Sequence, residues 1–137
     1  MEKKLIMKKI SMLMVSIITI VLEILPYGAV CMFMDDGGEK IKRTFSYFDL
    51  TPYGYANFAP LVTAVLSSIV CILCILHVWV DNRIIKKSIA VMAVLSAITS
   101  ILPFFLGFEY ITFTSICVFL SIIILFVHSI IKEQRNN

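Results

Sequence analysis

Four long apolar runs separated by short polar breaks make up most of this chain. The runs cover about residues 10–34, 58–80, 88–108 and 111–131. At about 1.5 Å rise per residue, a helix of roughly 20 residues crosses a hydrocarbon core of about 30 Å. The breaks are an aromatic segment over 35–57, a basic turn over 81–87, a tight turn at Gly107-Phe108-Glu109-Tyr110 and a polar tail over 132–137. The pattern predicts an all-α integral membrane protein with a single membrane domain. Its fold class is an up-down four-transmembrane-helix bundle with an aromatic-rich extracellular first loop, because short connections make consecutive helices antiparallel neighbours.

Prolines and small residues refine the picture. Pro26 and Gly28 fall in the outer part of the first run, where a proline frees a carbonyl and kinks the helix. Pro60 lies in the first turn of the second run, where its missing N–H costs nothing. Pro103 lies near the outer end of the third. In that run Ala93 with Ala97, and Ser96 with Ser100, mark a face on which backbones approach closely.

Composition agrees with a bilayer environment. Hydrophobic residues make up 60% of the chain and charged ones 15%, against about 25% charged in a soluble domain. The net charge of +3 comes from flanking cations and gives no footprint for nucleic acid. Nine Lys and Arg (Lys3, Lys4, Lys8, Lys9, Arg83, Lys86, Lys87, Lys132, Arg135) belong to one side under alternating topology, and three (Lys40, Lys42, Arg43) to the other. That asymmetry predicts cytoplasmic termini and an outer aromatic loop. Trp79 and Tyr110 suit interfacial anchoring. The small size and the Ile-, Lys- and Ser-rich vocabulary suggest a bacterial cell membrane.

The lysines before the first run resemble a signal peptide, and Gly28-Ala29-Val30-Cys31 resembles a lipoprotein cleavage box. The apolar run is too long for a signal core, however, and Val30 is a poor residue before the cysteine. A retained first helix is expected.

Glu23 is the sharpest chemical candidate. A helix starting at Ile10 puts it about 20 Å in, within the outer half of the bilayer. A carboxylate at that depth is costly and should face the bundle or a water-filled cavity. With no Lys or Arg in the apolar runs, its neutral form is favoured. The companions expected for it are Tyr27 one turn along, and Thr63, Ser100 or Ser115 at similar depth. Two outcomes follow: a proton- or cation-coupled site, or a structural hydrogen-bonding group bracing the Pro26 kink.

The aromatic loop is the second candidate. Phe45, Tyr47, Phe48, Tyr53, Tyr55 and Phe58 crowd into fourteen residues, with Asp49 among them. Thr51 before Pro52 reads as the N-cap of a short helical turn over 52–55. Aromatics so spaced suit the headgroup layer, as an interfacial belt or as a recognition surface for a lipid, peptide or membrane-protein partner. Asp35, Asp36 and Glu39 read as solvated turn residues rather than a cation site.

Cys71-x-x-Cys74-x-x-His77 lies roughly on one helix face, and His128 shares its depth on the fourth run. These four could ligate a metal only if helices two and four packed together, which a simple up-down bundle makes diagonal. Small hydrophobic cysteines and interfacial histidines are the default. All four cysteines lie in or beside apolar runs, which argues against a disulfide framework.

The chain contains no phosphate-binding glycine loop, nucleophile elbow or helical HExxH. The expectation is a non-enzyme without a cofactor. Its partners would be the lipid bilayer and a membrane-protein partner or a second copy of itself. It would bind a partner or lipid through its outer aromatic loop; the alternative is a small proton-coupled transporter of a cationic or amphipathic solute built on Glu23.

Two families have similar layouts. In size, helix count and a glutamate on helix one, the chain resembles small multidrug-resistance transporters, and Glu23 is the one residue the resemblance carries across. The small residues that flank the family's glutamate are missing here, the first loop is longer, and the cation bias departs from dual topology. The chain is also similar in topology to claudin-type tetraspan proteins. It lacks that group's loop tryptophan and cysteine pair, since Trp79 is its sole tryptophan. Neither resemblance extends beyond topology, and no family is assigned on it.

Overall fold

In a computed structural model of the protein, which describes residues 2–131, four long helices pack side by side. They are α1 (Glu2–Ile24), α3 (Ala59–Trp79), α4 (Arg83–Leu106) and α5 (Phe113–Ile130). Each is long and apolar enough to cross a membrane. α1 packs on α3 and α5, and α4 packs on the same two, so the helices form a ring. The polar tail over 132–137 lies outside the described residues.

The ring is apolar outside and polar within. Ile17, Ile18, Val21, Ile72, Ile98, Leu120 and Ile124 are exposed on its outer faces. Ser16, Thr19, Glu23, Thr63, Ser67, Ser96, Ser100 and Ser121 are buried inside. Lipid solvates the aliphatic faces as well as protein does, so helix packing relies on small side chains and interhelical hydrogen bonds. Ala93, Ser96, Ala97 and Ser100 are all buried on α4, as their spacing predicts.

The first helix departs from expectation. The expected span over 10–34 is displaced: α1 begins at Glu2 and stops at Ile24. Pro26 ends the helix instead of kinking it, because the residue before a proline is pushed out of the α region and Pro26 offers no N–H. The apolar stretch beyond is a strand. β1 (Ala29–Met34) pairs antiparallel with β2 (Lys40–Phe45), in a register running from Ala29 opposite Phe45 to Met34 opposite Lys40. A six-residue apolar run has no periodicity that separates a buried helix turn from a strand. Gly38 supplies the left-handed residue of the hairpin turn at φ 79°. Gly38 N–H donates to the Asp35 carbonyl at 2.8 Å, which closes that turn. Residues 35–57 are therefore not one loop but half a hairpin and a helical turn.

That turn is α2 (Thr51–Gly54). Leu50 occupies the N-cap position without a side-chain cap hydrogen bond, and Asp49 Oδ1 just before it accepts the Thr51 N–H at 2.8 Å; Thr51, expected to cap, is itself inside the turn. Asn57 anchors the segment, its Nδ2 donating to the Val30 carbonyl at 3.0 Å.

The remaining boundaries shift less. α3 matches the run over 58–80, with Pro60 in its first turn. α4 starts five residues before the expected 88, because Asn82 Oδ1 accepts the Ile84 N–H at 2.8 Å and caps it. The basic turn over 81–87 is thus mostly helix. Thr112 and Ser115 form a reciprocal capping box that starts α5.

Candidate functional site

Glu23 occupies the last turn of α1 and is completely buried. Helical side chains lean toward their own N-terminus, which aims this carboxyl back into the ring. Ser67 Oγ on α3 donates to Glu23 Oε1 at 2.7 Å, and Ser96 Oγ on α4 lies 3.2 Å from Ser67 Oγ. Thr63 and Thr99 pair at 2.9 Å between α3 and α4. Thr19 on α1 donates to Ser121 on α5 at 2.8 Å. Hydroxyls from all four helices thus line the interior below one carboxyl. Glu23 Oε2 has no hydrogen-bond partner among the described residues.

Tyr47 closes the site from above. Its backbone N–H donates to the Glu23 carbonyl at 2.9 Å, satisfying one of the orphan acceptors at the end of α1. Its ring is 1% exposed and belongs to a core with Ala29, Ala64, Ala93, Ala97, Val118 and Ile122. The phenol faces Ser100, whose Oγ makes no hydrogen bond of good geometry. Burial, reinforced by the Glu23 carboxylate, holds this phenol above its ordinary range. Small alanines leave room for the ring, and the ring fills it.

Gly28 holds the plug in place. Its N–H donates to the Phe45 carbonyl at 3.1 Å, and its carbonyl accepts from Thr112 Oγ1 at 3.2 Å. A Cβ at this position would stand 2.6 Å from Cδ1 and Cε1 of Tyr47. Gly28→Ala is expected to cost about 1–3 kcal/mol by overpacking. In a Tyr47→Leu background it should cost much less, a coupling that detergent-based unfolding of the four variants measures.

The expected companions of Glu23 sort differently. Tyr27, placed one turn along a continuing helix, is 60% exposed because the helix has ended. Ser115 serves the α5 cap, Thr63 bonds Thr99, and Ser100 faces Tyr47. The direct partner is Ser67, which the sequence reading missed. A signal existed in the spacing of hydroxyls along each run: Ser16, Thr19 and Glu23 on α1, Thr63 and Ser67 on α3, Ser96 and Ser100 on α4. Glu23 is buried within the helix ring, its carboxyl on Ser67 and its backbone carbonyl under the Tyr47 N–H. The interior crevice lined by Ser16, Thr19, Ser67 and Ser96 has no room for a water.

The other aromatic-loop residues stay outside. Phe48, Tyr53 and Tyr55 are exposed. Tyr55 packs edge-on against Phe33 of β1 with ring centroids 4.8 Å apart, and the Arg43 guanidinium lies 5.9 Å from the Phe33 centroid. Hydrogen bonds from Thr51 hold the Asp49 carboxyl below its usual range. Cys71, Cys74, His77 and His128 are not gathered: among the described residues no group of three or more His, Cys, Asp or Glu could hold a metal. His128 Nδ1 lies 3.1 Å from the Ile124 carbonyl of its own helix.

Comparison with family models, with curated proteins and with solved structures finds no match for this chain. Fold and site together define a class: a helical membrane protein of four apolar helices around a polar interior.

Proposed function

We propose that this is a non-enzymatic membrane protein, both termini cytoplasmic in a bacterial cell membrane, which binds a partner membrane protein or lipid through its outer aromatic segment. The observation that carries this reading is the split within the aromatics. Tyr47 is spent on the core, whereas Phe48, Tyr53, Tyr55 and Phe58 stay 40–59% exposed on a scaffold tied down by Asn57, Asp49 and the hairpin. A rigid display of rings suits recognition, since little side-chain freedom is lost on binding. The up-down topology with this segment outside follows from the cation bias. Replacing Phe48, Tyr53 and Tyr55 with Ser should leave the fold intact and abolish co-purification of the partner from cross-linked membranes. Unchanged co-purification sinks the proposal. Tyr47 is excluded from that variant because its loss would unfold the site.

A second reading, proton-coupled transport of a cationic or amphipathic solute, draws on the hydroxyl-lined interior and the unsatisfied Oε2 of Glu23. It requires a second conformation in which Tyr47 withdraws and water reaches Glu23. Infrared difference spectra of the carboxyl band over roughly pH 5–9, with Glu23→Gln as control, decide it. A band that moves on adding candidate cations supports transport; a silent band with a normally behaving variant makes Glu23 structural.

A further inference from the structure

One edge of the hairpin is tied down and the other is open. Asp35 N–H donates to the Glu39 carbonyl at 2.9 Å, so these two residues point their backbone groups at each other. Backbone groups alternate in direction along a strand. The pairing register therefore turns those of Val30, Met32 and Met34 away from β2, and those of Lys40, Lys42 and Thr44 away from β1. On the β1 side, the outward Val30 carbonyl accepts from Asn57 Nδ2. On the β2 side, the outward N–H and C=O groups of Lys40, Lys42 and Thr44 have no hydrogen-bond partner among the described residues. Residues Lys40, Ile41, Lys42, Arg43 and Thr44 are all exposed. Lys40, Lys42 and Arg43 are the only cations between α1 and α3, and none forms an ion pair among the described residues. The tail over 132–137 starts too far away to neutralise them. α5 separates Ile131 from the hairpin base by about 27 Å, and a chain that short spans at most about 21 Å.

We propose that the open edge of β2 pairs with an extended acidic segment of a partner protein, which joins the hairpin as a third strand. The unused N–H and C=O groups supply the affinity of such strand addition, and the side chains beside them supply the selectivity. Lys40 and Lys42 share one face of the sheet and Arg43 lies on the other. Carboxylates on alternate residues of the segment would stand beside the two lysines. Lysines on an edge strand repel stray strands. The same charges admit an acidic one, which makes the edge selective rather than closed. A second copy of this chain does not fit. In a two-fold antiparallel pairing, every register that matches at least two of the outward residues opposes Lys40 to Lys42, Lys42 to Lys42, or Arg43 to Arg43. Like charges directly opposite are destabilising. This surface goes beyond the aromatic segment and does not rest on its rings.

The probe is a labelled heptapeptide of alternating Glu and Val, added to the full chain in phosphatidylcholine nanodiscs and followed by fluorescence anisotropy. It should bind saturably. Versions with Lys in place of Glu, or with every backbone N–H methylated, should bind at least about tenfold more weakly, as the loss of two or three backbone hydrogen bonds implies. Thr44→Pro removes one outward donor, keeps every cation and spares the bonds to β1, a placement that edge strands tolerate. It should weaken binding by about fivefold or more, and Lys40→Gln with Lys42→Gln should weaken it as well. Phe48→Ser with Tyr53→Ser and Tyr55→Ser should leave it unchanged; loss there would move the site onto the rings and overturn the edge. Equal binding of the acidic and N-methylated peptides, or undiminished binding to Thr44→Pro, would mean attraction by charge alone, such as an anionic lipid surface exerts on cations, and overturns strand pairing. No binding of the acidic peptide overturns it outright. Should Thr44→Pro fail to fold, the N-methylated peptide on the unmodified protein decides alone.

Discussion

Tyr47→Ala is expected to lower stability by about 3–5 kcal/mol, the cost of emptying a fully buried aromatic position. Few loop residues would show a loss of that size, because loop side chains seldom occupy a core. The ring fills the alanine-lined mouth of the helix ring, and its removal uncovers the carboxyl beneath. A hydrophobic carbodiimide, which modifies buried carboxyls once they are reachable, should label Glu23 rapidly in Tyr47→Ala and slowly in the unmodified protein. Equal labelling would show that Tyr47 does not close the site. Tyr47→Phe keeps the ring and should keep both stability and protection.

The same residue sets an alkaline limit. The Tyr47 phenol titrates above its ordinary value of 10.0, so the folded state holds its proton where the unfolded state releases it. Its contribution is fully present below about pH 10 and is lost as pH rises toward the folded value. Tyr47→Phe should flatten the stability profile in that window while leaving neutral pH unchanged.

Glu23→Ala is the second large effect, about 1–3 kcal/mol from deserting the Ser67 hydroxyl, with the cost of the new cavity in addition. Glu23→Gln has the same shape and still offers Ser67 an acceptor, so it should fall within about 1 kcal/mol of the native protein. Unfolding midpoints in detergent separate the two. A Gln variant as unstable as Ala would mean that the carboxyl itself, rather than its hydrogen bond, holds the site together. Ser67→Ala, which removes the donor from the other side, should reproduce part of the Ala loss and little more when combined with it.

Membrane class and the number of spans were legible in the chain because hydrocarbon solvation is a one-dimensional requirement. About 20 apolar residues in a row satisfy it whatever the neighbours are. The second span was legible almost to the residue, since Pro60 and the polar break at 81 bracket it. The small-residue face of α4 was legible too, because close approach in lipid selects small side chains at helical spacing. The end of α1 was not. Ala29–Met34 is as apolar as a helix would be, and only pairing with Lys40–Phe45, whose side chains are largely exposed, makes it a strand. Strand pairing joins residues far apart in sequence, so hydropathy carries no record of it.

By itself, the sequence determined that this protein lives in a membrane, that its apolar residues make helices, and that Glu23 is costly to bury. Each of these depends on residue type and local spacing alone. Only the tertiary structure decided that Ser67 receives Glu23, that Tyr47 turns inward while Tyr53 and Tyr55 remain exposed, and that Lys8 and Lys86 converge on Ile131. The hydrogen-bonded pairings span 44–123 positions, and nothing local distinguishes Tyr47 from the tyrosines around it. What singles it out is the space left by Gly28 and by alanines on α3 and α4, which exists only once the chain has closed on itself.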